Sequence, residues 1–113
     1  MTFTIPDEPV SLNVSFNQHW SVRSKRNHYL ADTVFALAYN VGWRPSMPKF
    51  RRVKITICGW RGDYDNAIAG CKPIVDALWK NDIIEGDNPK QCEITYAFKK
   101  GKGKRVEIEL EAK

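Results

Sequence analysis

Four short runs in this chain alternate apolar with polar residues, and two longer runs repeat their apolar residues at helical spacing. Interleaved periods of two and 3.6 are satisfied only by a mixed fold of sheet and helix. Val10, Leu12, Val14 and Phe16 alternate with Ser11, Asn13, Ser15 and Asn17, which predicts a first strand. Val53, Ile55 and Ile57 predict a second, Ile94, Tyr96 and Phe98 one face of a third, and Val106, Ile108 and Leu110 one face of a fourth. Leu30, Val34, Leu37 and Val41 predict a helix with Asn27 as N-cap and Gly42 as the left-handed residue that ends it. Ile68, Cys71, Val75 and Leu78 stripe a second helix over residues 66–79. The irregular, basic stretch from Gln18 to Asn27 reads as a surface loop, and Lys99–Arg105, with Gly101 and Gly103, as a hairpin loop. The expectation is a single α+β domain over residues 1–113, a small β-sheet with two helices packed on it in the order β-α-β-α-β-β.

The 113 residues, 42% hydrophobic and 12% aromatic, furnish one modest core and leave no room for a second domain. No apolar run approaches the ~20 residues that span a bilayer, and the N-terminus lacks the basic-then-apolar layout of a signal peptide, so a cytoplasmic protein with no membrane partner is expected. Cys58, Cys71 and Cys92 are odd in number and widely spaced, which predicts reduced, inert thiols and no zinc finger. A net charge of +5 and a pI near 9.2 favour an anionic partner, nucleic acid before membrane.

The order of the charges says more than their sum. Before Asp63 the only acids are Asp7, Glu8 and Asp32, against nine lysines and arginines. From Asp63 to Asp87 the sign inverts, with Asp63, Asp65, Asp76, Asp82, Glu85 and Asp87 interrupted only by Lys72 and Lys80. Lys99, Lys100, Lys102, Lys104 and Arg105 then restore the basic character. An acidic island in a basic chain suits a metal site within a phosphate-binding surface.

Asp63-Tyr64-Asp65-Asn66 lies just beyond the second strand and opens the second helix. On extended backbone Asp63 and Asp65 project to one side and can share a hard cation, and Mg²⁺ takes oxygen ligands while keeping several waters. The alternative is that Asp65 is a helix cap and Asp63 a solvated turn residue. On one continuous helix Asp65, Lys72 and Asp76 fall within an arc of roughly 40°. Against this, Pro73 favours a kink or a restart, and Lys72 with Asp76 can be an ordinary exposed i,i+4 ion pair.

The run Asp63-Tyr-Asp-Asn-Ala-Ile-Ala-Gly-Cys-Lys-Pro-Ile-Val-Asp-Ala-Leu, followed by Ile83-Ile-Glu-Gly-Asp-Asn-Pro-Lys, resembles the D-x-D-N…K-x-x-x-D-A-L…D-D-x-P pattern of the RusA-like Holliday junction resolvases, over about a quarter of the chain. The resemblance implies an endodeoxyribonuclease of DNA recombination and repair. Asp63, Asp65 and Asp87 would be its metal-binding carboxylates, Lys72 its catalytic lysine and Asp76 a supporting residue. The cofactor would be Mg²⁺, with Mn²⁺ as the other candidate metal. Such an enzyme hydrolyses phosphodiesters at a metal-polarised phosphate, with Lys72 neutralising developing charge. Two symmetric cuts in a four-way DNA junction require a homodimer when each chain carries one acidic cluster. The sequence departs from the pattern twice: Lys72 stands seven residues after Asp65, farther than in some members, and Gly86 replaces the first Asp of the usual pair. Asp82 and Glu85 are candidates to compensate.

Lys99, Lys100, Lys102, Lys104 and Arg105 are candidate phosphate contacts, or else a solvated loop tip. Arg23, Lys25 and Arg26, beside His19 and Trp20, are candidate DNA contacts in which Trp20 offers a stacking surface to an unpaired base. His19 and His28 lack metal-ligand spacing, and Trp43, Trp60 and Trp79 read as core or dimer contacts. Two other readings fit the same residues: a non-catalytic nucleic-acid-binding module, and a metal-dependent nuclease acting on flaps, forks or RNA.

Overall fold

The computed structural model describes residues 1–6 and 20–112, with side chains in the second stretch described from Tyr29 onward. Its elements are β1 (Thr2–Ile5), α1 (Trp20–Asn40), β2 (Arg52–Cys58), α2 (Tyr64–Gly70), α3 (Lys72–Lys80), β3 (Glu93–Lys99) and β4 (Arg105–Glu111). The strands form one mixed sheet in the order β1-β4-β2-β3. β2 is parallel to β3 and antiparallel to β4, and β1 is antiparallel to β4.

Alternation decides which side of the sheet is covered. Val53, Ile55 and Ile57 of β2 lie level with Val106, Ile108 and Leu110 of β4, and these six are all but inaccessible. α1 and α3 pack on that face, contributing Val34 and Ala38 from α1 and Ile74, Val75, Ala77 and Leu78 from α3. The amide of Asn81 bridges the two helices, donating to the carbonyls of Ala31 and Ala77 at 2.9 Å each. The opposite face is polar, as a one-sided antiparallel pairing allows, and there Arg52 reaches Glu93 at 3.1 Å and Glu111 at 3.4 Å.

The α+β architecture and element order are those expected from the periodicity, but several boundaries are not. The first strand of the sheet is Thr2–Ile5, whose Phe3 and Ile5 enter the core; the strand expected over Val10–Phe16 lies outside the described residues. Trp20–Asn27 is helical, not a loop, and Asn27 lies within α1 instead of capping it. A helix can run on beyond the turns that bury an apolar face, and Arg23, Lys25 and Arg26 are good helix formers. Gly42, at φ 107°, ends α1 as expected, while Val41 is exposed past the last turn and Ala38 takes its place in the core.

The second helix is divided at Cys71, the C-cap of α2 and N-cap of α3, with Pro73 in the first turn of α3 where its missing N–H costs nothing. Asp65 and Lys72 therefore belong to different helices. Nor do β3 and β4 form a hairpin, because β2 lies between them. Skipping one strand takes a span of about 10 Å, easily crossed by the loop from Lys99 to Arg105. That loop passes over the end of β2 so closely that a Cβ on Gly59 would run into the carbonyl oxygen of Gly103. Gly59 is at φ 74°, and its N–H donates to the Lys99 carbonyl at 3.1 Å.

Candidate active site

The site residues are placed by three short pieces of chain at the helix-covered side of β3. The first is the turn leaving β2. Asp63 is extended (φ −66°, ψ 130°) and caps α2, its Oδ1 accepting the N–H of Asp65 at 3.0 Å. Trp60 braces the turn by donating its indole N–H to the Asp63 carbonyl at 3.0 Å. Asp63, not Asp65, is thus the cap, and both carboxylates are exposed. Tyr64 follows and stacks on Phe98 of β3, ring centroids 4.0 Å apart.

The second piece is the first turn of α3. The Lys72 ammonium lies 3.5 Å from Asp76 Oδ1, one helical turn on, and 3.3 Å from Asp87 Oδ2. The same Asp76 oxygen accepts the indole N–H of Trp79 at 3.2 Å. The negative charge of Asp76, then the hydrogen bond to Asp87, hold the Lys72 ammonium above the ordinary lysine range. Its side chain is 66% exposed, so solvent screens these pairs and each is worth a few tenths of a kcal/mol or so.

The third piece carries Asp87. Ile83 and Ile84 are fully buried, the Phe50 N–H donates to the Ile83 carbonyl at 2.9 Å, and Phe50 and Ile84 form a parallel bridge. This anchor delivers Gly86 and Asp87 to the surface. Beyond it the Asn88 side chain accepts the Lys90 N–H at 3.0 Å and its carbonyl the Cys92 N–H at 2.9 Å, closing a turn that leads into β3. An Asp at position 86 would bring its Cβ against the Gln91 side-chain amide. Asp82 does not compensate from where it stands, since it occupies the left-handed position after α3 (φ 59°) and pairs with Lys49 at 3.7 Å.

The structure therefore brings together Lys72, Asp76 and Asp87, and separately Asp63 and Asp65. The two groups share β3: Tyr64 rests on Phe98, while Tyr96, two residues or about 7 Å back along the strand, lies within electrostatic reach of Lys72 and Asp87. Burial is the main cause that raises the Tyr96 hydroxyl above its usual range; the Lys72 ammonium opposes the shift and the Asp87 carboxylate adds to it. A cleft of about 530 Å³ runs alongside, lined by Ile68, Val75, Pro89 and Ile94 together with Lys72 and Asp87. The donors suit a hard divalent cation chemically, all being carboxylate oxygens. Their placement does not: among the described residues no three His, Cys, Asp or Glu side chains gather closely enough to hold a metal ion. As arranged here, the Lys72 ammonium sits where Asp76 and Asp87 would otherwise face each other.

The lysine-rich loop crosses the end of β2, next to the turn that carries Asp63. Lys99, Lys100 and Lys102 are exposed there, and Arg105 pairs with Glu107 at 3.3 Å. Arg23, Lys25 and Arg26 lie in the first turns of α1, and His19 lies outside the described residues. Trp43 is a core residue, whereas Trp79 is 41% exposed and serves Asp76. Its role and that of Trp60 were hidden in the sequence, where only the i,i+3 spacing of Asp76 and Trp79 hinted at a contact. Cys58, Cys71 and Cys92 are free and buried. No described helix is long and apolar enough to cross a membrane. No family model matches this chain, and no curated protein does either.

Proposed function

We propose that this protein is an endodeoxyribonuclease of the RusA-like type, acting as a homodimer on branched DNA, with the four-way junction as substrate, in recombination and repair in the cytoplasm. The observation that carries the reading is the gathering of one sequence pattern along one strand: Asp63 and Asp65 at the end of β2, and Lys72, Asp76 and Asp87 beside Tyr96, with the basic loop crossing the same end of the sheet. In this reading the loop lysines hold backbone phosphates. Lys72 offers an ammonium to the phosphate at which charge develops, its flexible stem reaching from α3. Asp63, Asp65 and Asp87 are the essential acids, and Mg²⁺ or Mn²⁺ is the cofactor that the family resemblance implies.

One observation favours a second reading. Asp63 is occupied as a helix cap and Asp87 as the partner of Lys72, as they would be in a nucleic-acid-binding module without catalysis. Incubation with a mobile four-way junction, a fork and a plain duplex, with Mg²⁺ and with chelator, separates the two. A nuclease of the proposed kind cuts the junction symmetrically and only with metal. Asp87→Asn should abolish cleavage while junction binding survives or tightens, because removing a negative charge near phosphate does not weaken attraction. Metal-indifferent binding without any cut would leave the binding module standing, and Asp87→Asn cutting at the wild-type rate would remove Asp87 from the site.

A further inference from the structure

β3 is at the edge of the four strands, and no described strand pairs on its outer side. The Glu93 N–H donates inward to the Arg51 carbonyl at 2.8 Å, and the Lys99 carbonyl accepts inward from Gly59 at 3.1 Å. Strand residues alternate in direction, so Glu93, Thr95, Ala97 and Lys99 turn their main-chain groups toward β2, and Ile94, Tyr96 and Phe98 turn theirs outward. An edge usually guards such groups with charge or proline along its length. Here Ile94-Thr-Tyr-Ala-Phe98 carries neither, and the only charges are Glu93 at one end and Lys99 at the other.

That pattern is complementary to itself when reversed. We propose that the outer edge of β3 is the homodimer interface, pairing antiparallel with β3 of a second copy about a two-fold axis at Tyr96, to give one continuous eight-stranded sheet. This rests on the reading above that two cuts need two chains. In this register Tyr96 faces its own counterpart and Ile94 faces Phe98, each a hydrogen-bonded pair, for about six main-chain bonds. On the polar face Glu93 lies opposite Lys99 at both ends, and Thr95 opposite Ala97. No other antiparallel register matches both charges and uses all three outward residues. Tyr64, 57% exposed on top of Phe98, extends the contact on the helix side. The axis at Tyr96 sets the two Lys72–Asp87 groups on the same face of the joint sheet, one on each side, as paired cuts in one junction require.

The test needs no DNA, so its failure and that of the nuclease reading are separate. Sedimentation equilibrium of the full chain should show a dimer at ~100 µM. Lys99→Glu alone, which sets Glu against Glu at both ends, should weaken it about tenfold, and Glu93→Lys with Lys99→Glu should restore it. Amide hydrogen exchange reads the same interface without mutation: Ile94, Tyr96 and Phe98 should be protected in the dimer and exchange on dilution, while Thr95 and Ala97 stay protected throughout. A monomer at ~100 µM overturns the proposal. So does a dimer indifferent to the single swap, a double swap no better than the single, or outward amides that exchange freely in the dimer.

Discussion

At the residue scale, Asp63 carries two roles that substitution can pull apart. Asn is nearly as good an N-cap as Asp, so Asp63→Asn should leave stability within a few tenths of a kcal/mol, while Asp63→Ala should cost about 1 kcal/mol in urea unfolding. On the nuclease reading both variants lose cleavage, and Asp63→Asn retaining full activity would reduce Asp63 to a cap. The cysteines give an independent check. Burial pushes the Cys71 thiol up to about 12 and raises those of Cys58 and Cys92 as well. Folded protein treated with iodoacetamide at pH 8 should therefore alkylate at all three far more slowly than unfolded protein, as mass spectrometry will show. A thiol protonated in the folded state but ionised in the unfolded chain also removes stability as pH rises from about 9, the ordinary thiol value, toward 12.

At the scale of elements, the crossing of β2 by the lysine-rich loop is the contact that sets the acidic turn beside the basic loop. Gly59 permits it by its left-handed backbone and by having no side chain against Gly103. Gly59→Ala should destabilise the fold by about 3 kcal/mol, from backbone strain and a clash with main chain that no rotamer relieves. Gly101→Ala, where an added Cβ meets nothing within 4 Å, should cost far less. Equal midpoints for the two variants in denaturant would mean the loop does not hold this course. The break between α2 and α3 has a comparable consequence, since it lets α2 point its capped end at Phe98 while α3 turns Lys72 toward Asp87.

For the whole molecule, the uneven charge decides how it meets an anionic partner. Asp63 and Asp65 and the cations of residues 99–105 lie at the end where β2 and β3 finish, so DNA affinity should fall steeply with salt. Replacing Lys99, Lys100, Lys102, Lys104 and Arg105 by Gln should flatten the slope of log affinity against log salt by about 0.9 for each phosphate that the loop no longer neutralises. An unchanged slope would show that the loop does not touch the backbone. Arg105, engaged by Glu107, should contribute less than the exposed Lys100 and Lys102.

Periodicity by itself determined the sheet-and-helix class, the faces of β2, β3 and β4 and the glycine end of α1, because a buried face writes its repeat into local sequence. The order of charges marked residues 63–87 as an acidic island, and the RusA-like resemblance singled out Asp63, Asp65, Lys72, Asp76 and Asp87 within it. Periodicity misplaced what depends on distant partners. The chain order of β3 and β4 looked like a hairpin, yet β2 takes the place between them, since strand neighbours are chosen by which apolar faces lie level across the sheet. The length of α1 was underestimated because its first turns carry no apolar repeat. Only tertiary structure decided that Lys72 meets Asp87, carried there by the buried Ile83–Ile84 anchor, and not Asp65, seven residues away in sequence but on another helix. Side-chain convergence is set by how elements pack, and local sequence encodes the elements far more directly than their packing.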